Sequence, residues 1–218
     1  MIETNGLAST TNRNSMIDAV IWDMGGVLVR TEDQTPRREL AAWVGTTDKE
    51  LYDTVFNSPT ALQATLGLIP EEEQWKAVQA HYGLKDEDMP RFRDLFWGGD
   101  RLDDRLVAFI DSLRPRYRTA LLSNAWSETR DEMNRRHKLL HAFDVSVFSA
   151  EIQLAKPDPA AFLYLLGLLS VSPERAVFVD DVSHNVEGAV RLGMHGIVFR
   201  NSHQALRELA QLGVSSTL

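Results

Sequence analysis

Four places in this sequence set chemically capable side chains where a turn would present them. Asp23-Met24-Gly25-Gly26 follows an apolar run. A carboxylate ahead of two glycines is exposed, and the glycines let backbone amides approach an anion closely, although such an aspartate also serves purely structural turns. Ser123-Asn124 follows a second apolar run. Its hydroxyl and neighbouring N–H groups can donate to a phosphoryl oxygen or simply cap a helix starting near Ser127. Lys156 stands in Ala155-Lys156-Pro157-Asp158-Pro159. Proline restricts the residue before it, so the ammonium is carried on a stiff loop, either aimed at an anion as a point charge or solvated. Asp180-Asp181 ends a Val-Phe-Val run, with Asn185 four residues beyond. Adjacent carboxylates after a buried run are costly unless a cation pairs with them, and Mg²⁺ is held by one or two carboxylates together with substrate phosphate. Of the four places, this one is hardest to explain by structure alone.

The elements that must carry these residues are legible as apolar, β-branched runs of the kind found in buried parallel strands. They are Ile17–Trp22, Arg118–Leu122, Val145–Ser149, Ala176–Val179 and Gly196–Phe199. Amphipathic stretches at about Ser127–Leu140, Pro159–Leu169, Asn185–Leu192 and His203–Leu212 alternate with the later runs. Strand–helix alternation predicts a doubly wound, mostly parallel α/β sheet, Rossmann-like, with ligands at the carboxyl ends of its strands. From Thr31 to Gly99 the alternation stops. Helix follows helix there, with breaks at Gly45, Ser58-Pro59, Gly67–Pro70 and Gly83. Leu40, Trp43, Leu51, Val55, Leu62, Leu66, Trp75, Val78, Tyr82, Phe92 and Phe96 supply its apolar faces. The reading is a helical cap over residues 31–99, inserted after the first strand of a core formed by residues 16–30 and 100–218. Residues 1–15 are polar, lack the apolar segment of a secretory signal, and are read as a disordered tail.

The chain has 218 residues, a net charge of −8, 44% hydrophobic and 25% charged residues, and no cysteine. The acidic balance argues against nucleic acid, which demands a basic surface. The lack of cysteine excludes disulfides, thiol nucleophiles and cysteine-ligated metal. No apolar run approaches the ~18 residues of a membrane span. The expectation is a cytoplasmic protein with no membrane partner, a monomer or a homodimer.

Nucleophile candidate, hydroxyl, lysine and acidic pair fall in order at successive strand ends. That constellation resembles the haloacid dehalogenase superfamily in AVIWDMGGVL, TALLSNAW, LAKPDPAAF and AVFVDDVSHNVEGA. It looks closest to the branch of sugar-1-phosphate phosphatases and the N-terminal phosphatase domain of soluble epoxide hydrolases. The resemblance implies a phosphatase acting on a small phosphorylated metabolite with Mg²⁺ as cofactor. Asp23 would be the nucleophile, Ser123 and Asn124 would bind the phosphoryl group, and Lys156 would offset its charge. Asp23, the Gly25 carbonyl and Asp181 would hold the metal, with Asp180 and Asn185 as ligands or behind them.

One position departs from the family. The second aspartate usual two residues after the nucleophile is Gly25 here, which removes the general acid/base and predicts slow turnover. Glu32, Asp33 and His184 are candidates to replace it. Arg37 and Arg38 are conceivable anchors for an anionic substrate. His137 and His141 are spaced as metal ligands but stand on a charged helix, where surface roles are expected. Trp43, Trp75 and Trp97 would pack within the cap or form an interface. Two other functions use the same residues: a 2-haloacid dehalogenase, which needs no second aspartate, and a non-catalytic phospho-ligand or protein-binding module.

Overall fold

The computed structural model describes residues 16–216, so the tail expected over residues 1–15 lies outside the described residues. The chain opens with β1 (Ala19–Trp22) and β2 (Val29–Thr31). It then runs through α1 (Thr35–Val44), α2 (Asp48–Tyr52), α3 (Pro59–Thr65), α4 (Glu71–Tyr82) and α5 (Met89–Trp97). Next come β3 (Asp100–Leu102), α6 (Asp104–Ser112), β4 (Arg118–Ser123), α7 (Thr129–His137), β5 (Val145–Phe148) and the short α8 (Ser149–Ile152). The last elements are α9 (Pro159–Leu169), β6 (Ala176–Asp180), α10 (Ser183–Arg191), β7 (His195–Val198) and α11 (Ser202–Gln211).

β1 forms because Ala19-Val20-Ile21-Trp22 can bury side chains on both faces, and all four are buried. Five strands join in the order β5-β4-β1-β6-β7, every pair parallel. Side chains alternate between two apolar layers. Val20 and Trp22 pack with Ile110 of α6 and Leu209 of α11. Ala19 and Ile21 pack with Phe162 and Leu165 of α9 and Ala189 of α10. The strand order reverses at β1, which lies between β4 and β6, so the crevice at its carboxyl end is the place where such sheets bind ligands. Trp22 is level with Leu121 and Val179, so Asp23 and Asp180 emerge side by side, with Ser123 one residue further along its strand.

The helices from α1 to α5 pack over a separate apolar cluster that includes Leu40, Leu51, Val55, Trp75, Phe92 and Phe96. Their ends follow local rules. Gly45 and Gly83 adopt the left-handed conformation that closes α1 and α4, and Ser58 caps α3 ahead of Pro59 in its first turn. One member of the predicted apolar face is corrected: Leu62 points to solvent at 55% exposure. Trp43, Trp75 and Trp97 all pack into this cluster.

Three features went unpredicted. β2 and β3 pair antiparallel as a two-stranded ribbon, so both crossings between sheet and helical unit run side by side. α6 opens the return into the sheet, capped by Asp103, whose carboxylate accepts from Leu106 N–H. Between α2 and α3 the residues Asp53–Asn57 form a π turn. Boundaries also moved. β4 and β6 each extend one residue, taking in Ser123 and Asp180, and α7 stops at His137 because Lys138 turns left-handed. The spacing of His137 and His141 therefore spans a helix end.

Candidate active site

Asp23 follows β1 and is buried. Its backbone N–H donates to Val179 O, fixing it against β6. The turn behind it is tight, with Leu28 and Val29 N–H both donating to Met24 O and Gly26 N–H donating to Val29 O. Gly26 has φ of +76°, and a Cβ there would lie 2.2 Å from a carboxylate oxygen of Asp181. Glycine is thus required twice, for the dihedral and for the approach of Asp181. Gly25 differs: a Cβ there would meet nothing within 4 Å, so the missing side chain at this position is not dictated by space.

Lys156 is buried with its Nζ 2.6 Å from Asp23 Oδ1 and 2.7 Å from Asp180 Oδ2. The loop is held by Asn124: its Nδ2 donates to Lys156 O and its Oδ1 accepts from Lys156 N–H, both at 2.8 Å. Sequence reasoning placed Asn124 among the phosphoryl-binding residues through its backbone N–H; its side-chain amide is engaged at both ends by the lysine backbone. Ser123 is buried at the end of β4, and its hydroxyl has no hydrogen-bond partner among the described residues.

Asp180 is fully buried and saturated. Oδ1 accepts from Val182 N–H and Asn185 Nδ2, while Oδ2 accepts from Lys156 and Asn185. Asp181 is exposed beside it. Oxygens of Asp23, Asp180 and Asp181 lie within 4.8 Å of one another, the one acidic cluster of this kind among the described residues. Three carboxylates face a single ammonium, and the electrostatics record the imbalance. Burial and the Asp180 charge push the Asp23 carboxyl up to about 7, against the pull of Lys156. Desolvation and Asp180 likewise raise Asp181. Burial disfavours the Lys156 charge, but Asp23 and Asp180 hold it above its ordinary value, so it stays protonated.

These carboxylates suit a divalent cation. Oxygens about a single octahedral ion at 2.0–2.1 Å are separated by roughly 3–4 Å, and those of this cluster lie within 4.8 Å of one another. Asp181, little engaged by hydrogen bonds, is the free donor; Asp180 is held by Lys156 and by the Asn185 amide.

The other candidates stand elsewhere. Glu32 pairs with Arg30, Asp33 accepts from Thr35 N–H at the start of α1, and His184 is largely exposed near Glu187. Arg38 is exposed beside Asp48, whereas Arg37 is mostly buried, donating to Phe96 O and pairing with Asp100. A residue that sequence reasoning missed stands over the site. The Tyr52 phenol is raised by burial and by the Asp181 charge, with Asp23 adding to it against Arg37. Its only sequence signal was a place at the end of a short helix.

Acids and a lysine converge at the switch point of a doubly wound α/β sheet, the crevice where such sheets bind ligands. A family model for haloacid dehalogenase-like hydrolases matches residues 17–193, and the chain belongs to that family. It is 32% identical over 111 residues to bifunctional epoxide hydrolase 2 of Sus scrofa, a match covering 49% of this chain and 20% of that protein. The chain therefore spans only a small part of the epoxide hydrolases it matches. It is 28% identical over 201 residues to a phosphorylated carbohydrates phosphatase of Thermotoga maritima, covering 88% of this chain and 91% of the relative. A solved structure of a family enzyme from Bacteroides thetaiotaomicron, in complex with magnesium and inorganic phosphate, superposes with a TM-score of 0.71 at 22% identity. It covers 86% of this chain and 98% of that one. Among the described residues no helix is long and apolar enough to cross a membrane.

Proposed function

We propose that this chain is a Mg²⁺-dependent phosphatase that hydrolyses a small phosphorylated metabolite through an aspartyl-phosphate on Asp23. The observation that carries the reading is the buried Lys156 bridge between Asp23 and Asp180, with Asp181 alongside. Asp23, Asp181 and the Gly25 carbonyl would hold the metal, which when bound supplies charge neutralisation for the phosphoryl oxygens.

The protein's own groups do the rest. Lys156 orients the Asp23 carboxylate and stabilises negative charge beside it. Asp23 attacks phosphorus as the bond to the leaving oxygen breaks, and covalent catalysis divides the displacement into two easier steps. The Ser123 hydroxyl donates to a phosphoryl oxygen. Asn124, Asp180 and Asn185 act through Lys156, fixing its loop and its ammonium. Water then attacks phosphorus, returning Asp23 and releasing inorganic phosphate. With glycine at 25 no carboxylic acid protonates the leaving alkoxide, so turnover is slow and depends on an acidic leaving group.

The three clustered carboxylates favour this over a haloacid dehalogenase, whose carboxylate substrate they would repel. The test is p-nitrophenyl phosphate hydrolysis with Mg²⁺, with EDTA, and in Asp23→Asn. Turnover lost in both controls is expected. Turnover that persists in Asp23→Asn would sink the nucleophile assignment.

A further inference from the structure

The helical unit meets the loop after β4, just beyond Ser123, through aromatic rings. Tyr52 is 46% exposed and its ring contacts Phe56 at 4.9 Å. Phe56 in turn meets Trp97 and Trp126, each at 5.7 Å. Trp126 lies three residues beyond Ser123 and is buried in the helical unit's apolar cluster, so the aromatic train joins that unit to the loop after β4.

The wall is a built feature. Tyr52 and Phe56 flank or lie within the π turn at Asp53–Asn57, a geometry common at functional sites. Gln74 of α4 is fully buried beneath it, its Nε2 donating to Thr54 O at 3.1 Å and Val55 O at 2.8 Å. Its Oε1 accepts from Ser58 and Thr60. Two backbone carbonyls of this segment are thereby satisfied from beneath, while Asp53 pairs with Lys49 and Asn57 at the surface. Each of the seven lysines and arginines between Thr35 and Trp97 already faces an acid, Arg37 using Asp100. No cation there is spare for a second phosphate or carboxylate on the substrate.

We infer that the substrate is a phosphomonoester of an apolar alcohol, whose hydrocarbon lies against Tyr52 and Phe56 with Trp97 and Trp126 behind them. This rests on the phosphatase reading of the same site and specifies its leaving group. Water is consumed, the phosphorus–oxygen ester bond breaks, and the alcohol and inorganic phosphate are the products. Each methylene brought against the wall leaves water, so selectivity grows with chain length.

The experiment is a series of ethyl, butyl, hexyl and octyl phosphates, with glucose 1-phosphate and p-nitrophenyl phosphate, on the full chain with Mg²⁺. kcat/KM should rise about two- to fourfold per methylene, mostly through KM, with octyl phosphate above glucose 1-phosphate. In Tyr52→Ser the octyl-to-ethyl ratio should fall severalfold. A flat series, or preference for glucose 1-phosphate, would overturn the apolar assignment while leaving the phosphatase intact. Hydrolysis of none of these esters would remove the phosphatase reading itself, and this inference with it.

Discussion

Above the site, each cation of the helical unit is matched by an acid and the surface it presents is aromatic. Below, at the strand ends, three carboxylates share one ammonium. Both regions are well packed, so packing does not explain the difference. In one region every lysine and arginine has an acid beside it. The other withholds satisfaction at Asp23 and Asp181, as expected where a cation and a phosphoryl group are to complete the set.

The contrast breaks most severely at Lys156. Lys156→Ala leaves Asp23 and Asp180 buried without their countercharge, which costs about 3–5 kcal/mol. A urea midpoint unchanged from wild type would show that the ammonium does not balance the floor. Gly25→Asp sharpens the contrast by adding a carboxyl where the structure has room for it. It should raise kcat on ethyl phosphate ~10²-fold and on p-nitrophenyl phosphate far less; equal gains would mean that leaving-group protonation is not limiting. Above the site, Gln74→Leu leaves the Thr54 and Val55 carbonyls unpaired and should destabilise by about 1–3 kcal/mol, read from thermal or urea melts.

The smallest effect is expected at Asp103. Burial opposes its ionisation, but Ser202, the Leu106 N–H and Arg30 hold its carboxyl below the ordinary value. A lowered folded value contributes stability that is present above the unfolded value, ~3.9, and is lost as pH falls through the folded one. Asp103→Asn keeps a cap but loses the ion pair with Arg30, so it should cost up to about 1 kcal/mol at pH 7, and the gap to wild type should narrow at pH 3. A gap that stays constant across that range would place the effect in shape instead of charge.

The sheet and its strand-end residues were readable because buried parallel strands announce themselves as apolar runs, and the residues just after each run must face the crevice. Asp23, Ser123, Asp180 and Asp181 were found on that logic and Lys156 from its place before Pro157; the structure brings Asp23, Lys156, Asp180 and Asp181 together. The clasp between Asn124 and Lys156 was not readable, because it joins residues 32 apart through a side chain whose local context suggests a helix cap. The ribbon escaped notice because Val29–Thr31 and Asp100–Leu102 are three residues each, too short for any period to show. Tyr52 was missed for a different reason: α2 is only five residues long, and the π turn after it shifts which face its neighbours share.

That ribbon has a mechanical consequence. Because β2 and β3 are hydrogen-bonded to each other, with Thr31 Oγ1 also donating to Asp100 at 2.6 Å, the two crossings cannot flex independently. They bend as one leaf about one pivot, and Arg30 fastens that leaf to Asp103 and through it to Ser202 on α11. On the opposite side Ser149 Oγ moors the unit by donating to Thr65 O at 2.6 Å. Any swing of the helical unit away from the sheet therefore starts by slipping that mooring, and the axis of the swing is set in advance by six residues of ribbon.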